Sequence, residues 1–80
     1  MPDALHAKVQ EIVRDVCGDD GITLTEATAP RDVEGWDSLA HVNIVYAIEE
    51  EFGVEFGDDE IAGFATVGEL EDRIRRKRGD

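Results

Sequence analysis

The sequence predicts an all-α protein: a small four-helix bundle of three main helices and one short helix, with a long loop between the first two helices. Three observations predict it. Apolar residues recur at helical spacing in three separate segments. Capping and stop residues stand at the ends of those segments. The stretch between the first two loses all periodicity and carries Thr23, Thr25, Thr28 and Pro30, which argue against helix.

The first helix should start behind Asp3, a capping residue, and stop at Gly18. Leu5, Val9, Ile12, Val13 and Val16 make one apolar stripe, while Lys8, Glu11, Arg14 and Asp15 face water. Residues 18–37 then form a connection long enough to be functional or self-packed, with Ile22, Leu24, Ala29 and Val33 expected to pin it to the helices. A second helix is expected from Ser38 to Phe52, with Gly53 as its left-handed stop. Its apolar residues, Leu39, Val42, Ile44, Val45, Tyr46, Ile48 and Phe52, spread over more than half the circumference. Ala40, Asn43, Ala47, Glu50 and Glu51 share the rest. Such an arc implies neighbours on two sides, or a helix that lines a cavity as well as a core. Val54 and Phe56 add two anchors. Asp58, Asp59 and Glu60 supply negative charge to the start of a short helical turn reaching Ala62. Thr66-Val67-Gly68-Glu69 fits a capping box, and Val67, Leu70 and Ile74 are the last buried stripe.

Eighty residues make a single domain, residues 1–80. The net charge of −12 repels both a phosphate backbone and an anionic membrane leaflet, so neither nucleic acid nor membrane is an expected partner. The same acidity suits a soluble monomer whose partners present basic patches. No apolar run has membrane-spanning length, no secretory leader is expected, and the single cysteine, Cys17, suits a reducing cytoplasm. Cys17 itself reads as a small, buried hydrophobe. Arg73, Arg75, Arg76, Lys77 and Arg78 crowd the C-terminus, where cations complement a helix dipole.

The stretch "EGWDSLAHVNIVYAIEEEFGVEF" sets a lone hydroxyl, Ser38, behind Asp37 and Trp36 at the start of the second helix. Three roles fit a serine there. Asp37 or Ser38 can cap the helix. Asp37, Ser38 and His41 hold the residue types of a hydrolase triad, but the acid adjoins the serine instead of standing behind the histidine, and the G-x-S-x-G turn is absent. Catalysis by this chain is therefore not expected. His6, His41 and Cys17 lack zinc-ligand spacing, and in "GDDGITLTEA" Val16 and Ala27 would fall where calcium-loop carboxylates belong, so no metal is expected. The third role is attachment. A hydroxyl in the first helical turn faces partial positive charge, a seat for a phosphodiester, while Asp32, Glu34 and Asp37 would push an anionic arm outward.

"GWDSLAHVNIVYAIEEEFGVEF" together with "DDEIAGFATVGELEDRI" resembles the acyl carrier proteins over nearly the whole chain. The resemblance implies that Ser38 carries a 4′-phosphopantetheine arm, taken from coenzyme A by a magnesium-using phosphopantetheinyl transferase, and that the arm's thiol holds an acyl thioester. Asp37 would help that enzyme dock, and Leu39 would belong to its recognition patch. Trp36, Asn43, Glu50, Glu51, Asp58, Asp59 and Glu60 would meet partner enzymes: an acyltransferase or ligase that loads the arm, and a ketosynthase or other acyl-processing enzyme. Val42, Val45, Tyr46 and Phe64 would line a cargo pocket in the bundle. Asn43, Tyr46 and His41 depart from the fatty-acid members, which usually carry an acid, a methionine and an acidic or neutral residue there. They point to a specialised carrier, as in polyketide assembly. The rivals within the class are a fatty-acid synthesis carrier, a peptidyl, aminoacyl or aryl carrier of nonribosomal synthesis (peptidyl carriers more often show G-G-x-S-L) and a D-alanyl carrier; an unmodified acidic interaction domain is the rival outside it.

Overall fold

A computed structural model describes residues 4–57 and 64–79. Helix α1 spans Ala4–Cys17, α2 spans Ser38–Phe52 and α3 spans Val67–Arg78, with a 3-10 turn at Pro30–Asp32 and no strand among the described residues. The expected short helix over residues 58–62 and the expected cap at Asp3 lie outside the described residues.

The helix boundaries follow from local chemistry. Asp37, extended at φ −98°, accepts the Ala40 amide at the head of α2, and Gly53 ends that helix at φ 66° with its amide donating to the Glu49 carbonyl. Glu49 ties down the next segment too, since its Oε2 accepts the Phe56 amide at 2.8 Å. Thr66 Oγ1 accepts the Glu69 amide at 3.3 Å, half of the expected capping box. The returning half is shifted by one residue: Glu69 Oε2 accepts from Ala65, at 2.8 Å, instead of from Thr66.

The long loop is tied to all three helices. Gln10 Oε1 accepts the Leu24 amide at 2.8 Å and Arg14 Nε donates to the Ile22 carbonyl at 2.6 Å. The Val67 and Gly68 amides, orphans of the first turn of α3, donate to the Thr28 and Glu26 carbonyls at 2.8 and 2.9 Å. Only glycine fits at position 68, because a β-carbon there would lie 2.9 Å from the Glu26 carbonyl oxygen.

One core joins Leu5, Val9, Ile12 and Val13 of α1, Ala40, Ile44, Val45 and Ile48 of α2, and Val67, Leu70 and Ile74 of α3. Leu24, Trp36, Val54, Phe56 and Phe64 close it from the connections. The wide arc of α2 needs correction. Leu39, Val42 and Tyr46 are 70%, 43% and 64% exposed, whereas Ala40, expected on the polar arc, is buried. Helical geometry puts Ala40, Ile44 and Ile48 on one stripe and Leu39, Asn43, Tyr46 and Glu50 on the opposite side. The stripe facing α1 is the covered one.

A polar pair borders this core. Glu71 of α3 is fully buried, and its Oε2 is 2.6 Å from His6 Nδ1 of α1. His6 Nε2 is 3.0 Å from the Leu24 carbonyl oxygen, an acceptor only, so Nε2 carries a proton and donates it. One histidine thereby joins α1, α3 and the long loop.

Candidate functional site: the serine at the head of α2

The approach to Ser38 is a run of short-range bonds. Asp32 Oδ2 accepts the Ala29 amide at 3.0 Å, the Asp32 and Val33 amides close the 3-10 turn, and the Trp36 amide donates to Val33 at 3.2 Å. That path delivers Asp37 in the extended conformation a cap requires. Asp37 Oδ1 then takes the Ala40 amide at 2.8 Å. Because the acid does the capping, the serine hydroxyl is left for other use.

Ser38 is exposed at the first residue of α2, and Leu39 beside it is exposed as well. No hydrogen bond among the described residues engages the Ser38 hydroxyl or the Ser38 and Leu39 amides. The site therefore offers a reachable hydroxyl above two backbone donors at the positive end of a helix.

His41 does not serve as a base for this serine. Its Nδ1 accepts from Trp36 Nε1 at 3.3 Å, and its ring stacks on Phe64 with centroids 5.0 Å apart. Trp36 and Phe64 are themselves 6.3 Å apart, so the three rings form one cluster below the head of α2. Among the described residues no group of three or more His, Cys, Asp or Glu side chains is placed to hold a metal ion.

Trp36, expected to contact partners, is only 8% exposed, because its ring is drawn into the core beside Phe64. Of the four residues expected around a cargo, Val45 and Phe64 are packed in the core, while Val42 and Tyr46 are exposed. Asn43 and Glu50 are exposed, and Glu51 is exposed while pairing with Lys8 at 3.0 Å. Asp58, Asp59 and Glu60 lie outside the described residues. Cys17 is half-buried at the end of α1, where desolvation, reinforced by Asp37 and Asp19, pushes its thiol pKa up.

Sequence reasoning missed Arg31. It lines the same surface depression as Ser38, together with Pro30, Trp36, Asp37, His41 and Val42. The available signal was a solitary cation in an acidic stretch.

A family model described as the phosphopantetheine attachment site matches residues 7–74. The chain belongs to the acyl carrier protein family. It is 35% identical over 75 residues to the acyl carrier protein of Thermotoga maritima, covering 94% of this chain and 93% of that one. It is 44% identical over 62 residues to acyl carrier protein AcpP of Rhizobium meliloti, covering 78% of this chain and 80% of that one. The solution structure of holo acyl carrier protein from Geobacter metallireducens superposes with a TM-score of 0.86 at 31% identity, covering 96% of this chain and 88% of that chain. The carrier's cofactor is accordingly a covalently attached 4′-phosphopantetheine, and the carrier is not a catalyst. Carriers of this kind work with a phosphopantetheinyl transferase and with acyl-processing enzymes. The residues at the head of α2 fit that group: an exposed hydroxyl for the ester and unengaged amides for the phosphate charge. No helix among the described residues is long and apolar enough to cross a membrane.

Proposed function

We propose that Ser38 is the residue that carries the arm, and that the protein is a cytoplasmic carrier of acyl thioesters for a specialised biosynthetic pathway of the polyketide kind. One observation carries the attachment reading: Ser38 stands exposed at the head of α2 while Asp37, not the serine, performs the capping. Attachment then needs no base within this chain. The transferase activates the hydroxyl, the serine oxygen bonds to the phosphorus of coenzyme A's pantetheine phosphate, and adenosine 3′,5′-bisphosphate leaves. The arm supplies a thiol that holds acyl groups as thioesters.

The exposed side of α2, with Leu39, Asn43, Tyr46 and Glu50, supports docking to enzymes with basic rims around an apolar centre. Asn43 and Tyr46 make that side less acidic and more aromatic than the fatty-acid pattern, which favours dedicated partners.

The test is incubation with coenzyme A, magnesium and a broad-specificity transferase, read by intact mass. The wild type should gain one phosphopantetheine and Ser38→Ala none. No gain in either protein would favour an unmodified interaction domain. For the pathway, a fatty-acid ketosynthase that elongates this carrier's thioesters as fast as its own carrier's would refute the specialised reading.

A further inference from the structure

We infer that the depression beside Ser38 is a seat for the proximal part of the arm, with Arg31 holding its phosphodiester. This rests on the attachment reading above. The depression, of about 580 Å³, is lined by Ser38 itself, by Arg31, Asp37 and His41, and by Pro30, Trp36 and Val42.

The charges make Arg31 distinctive. Outside the C-terminal cluster the cations are Lys8, Arg14 and Arg31. Lys8 pairs with Glu51 and Glu11, and Arg14 donates to the Ile22 carbonyl. Arg31 is exposed and engages no described residue. Its sequence neighbour Asp32 turns away to accept the Ala29 amide, and Asp37 is occupied by the Ala40 amide. An exposed guanidinium therefore borders the site in an otherwise acidic region. Phosphate, like carboxylate, matches that fork, and attachment at Ser38 would bring a phosphate to this depression.

The arm's chemistry matches residue types in the lining. Its phosphodiester is followed by a carbon bearing two methyl groups, then by amides. Charge near Arg31 and apolar surface on Pro30, Trp36 and Val42 match the first two parts, and tethering supplies a high effective concentration. Asp32, Glu34 and Asp37 alone would drive the anion outward; Arg31 offsets them locally. The thiol end, past the seat, stays available to enzymes.

The experiment uses the full chain loaded from coenzyme A, as wild type, Arg31→Lys, Arg31→Gln and Arg31→Glu, each confirmed by intact mass. Nuclear Overhauser contacts are then measured between the arm's paired methyl groups and the Trp36 indole and Val42 methyl protons. They should be present in the wild type, kept in Arg31→Lys, and weakened about fivefold in Arg31→Gln and further in Arg31→Glu, as for loss of one exposed charged contact. Core amide shifts should not change. Salt near 1 M should weaken the wild-type contacts by screening. Contacts absent from the loaded wild type, or equally strong in Arg31→Glu, would overturn the seat while leaving the attachment intact. A wild type that gains no mass would overturn the attachment, and the seat with it. Arm contacts unaffected by charge reversal, alongside a raised KM for the transferase, would assign Arg31 to partner docking instead and also overturn the seat.

Discussion

At the head of α2, adjacent residues divide the work: Asp37 satisfies the helix and Ser38 faces solvent. Replacing Asp37 with alanine should destabilise the fold by about 1 kcal/mol in urea unfolding, the usual cost of a lost cap. Ser38→Ala should leave stability within about 0.5 kcal/mol, as for a surface change that touches no bond. Cys17 is the other residue with a measurable signature. Desolvation and the nearby Asp37 and Asp19 hold its thiol pKa above the usual range, so at mildly alkaline pH it carries less thiolate than a free cysteine. Iodoacetamide should therefore label the folded protein more slowly than the urea-unfolded one. Since the unfolded thiol ionises first, this group also makes stability fall as pH rises through the thiol range. Equal labelling rates in both states would contradict this.

Among the elements, α2 shows what periodicity can and cannot say. Its boundaries were legible because Asp37 and Gly53 act on amides and carbonyls within one turn of themselves. Its buried side was not, because Leu39, Val42 and Tyr46 are as apolar as a core stripe and only the position of α1 decides which side is covered. Stability should separate the two sides. Ile48→Ala, at a fully buried position, should cost about 2–5 kcal/mol. Tyr46→Ala should cost less than about 0.5 kcal/mol, as a surface substitution does, and a comparable loss would mean that Tyr46 is buried after all. In α3 the capping signal at Thr66 and Glu69 was legible, but the need for Gly68 was not. The Glu26 carbonyl that approaches it belongs to the distant loop. Gly68→Ala should thus cost about 1–3 kcal/mol, the penalty of overpacking, in spite of alanine's better helix propensity.

For the molecule as a whole, the His6–Glu71 contact is a polar tie between segments far apart in sequence. Truncating His6 to alanine should cost about 3 kcal/mol, because a buried carboxyl loses its contact with His6. Replacing both residues with leucine should restore most of that loss, since an apolar pair needs no hydrogen bonds. A double mutant no more stable than His6→Ala would show that the pair's value lies elsewhere. The net charge of −12 acts over the whole surface. Raising salt to about 0.5 M should raise Tm by screening that repulsion.

By itself the sequence determined the three helices, the caps of α2 and α3, the stops of α1 and α2, the acidic surface and the serine at the head of α2. Each of those depends on residues within a turn or two of one another, or on composition alone. Only the tertiary structure decided that Trp36 is a core residue, that Val42 and Tyr46 stand outside, that Arg31 borders the serine, and that Glu71 is buried against a histidine 65 positions away. Burial and charge pairing are set by what another segment brings alongside, and periodicity within one helix carries no record of its neighbour.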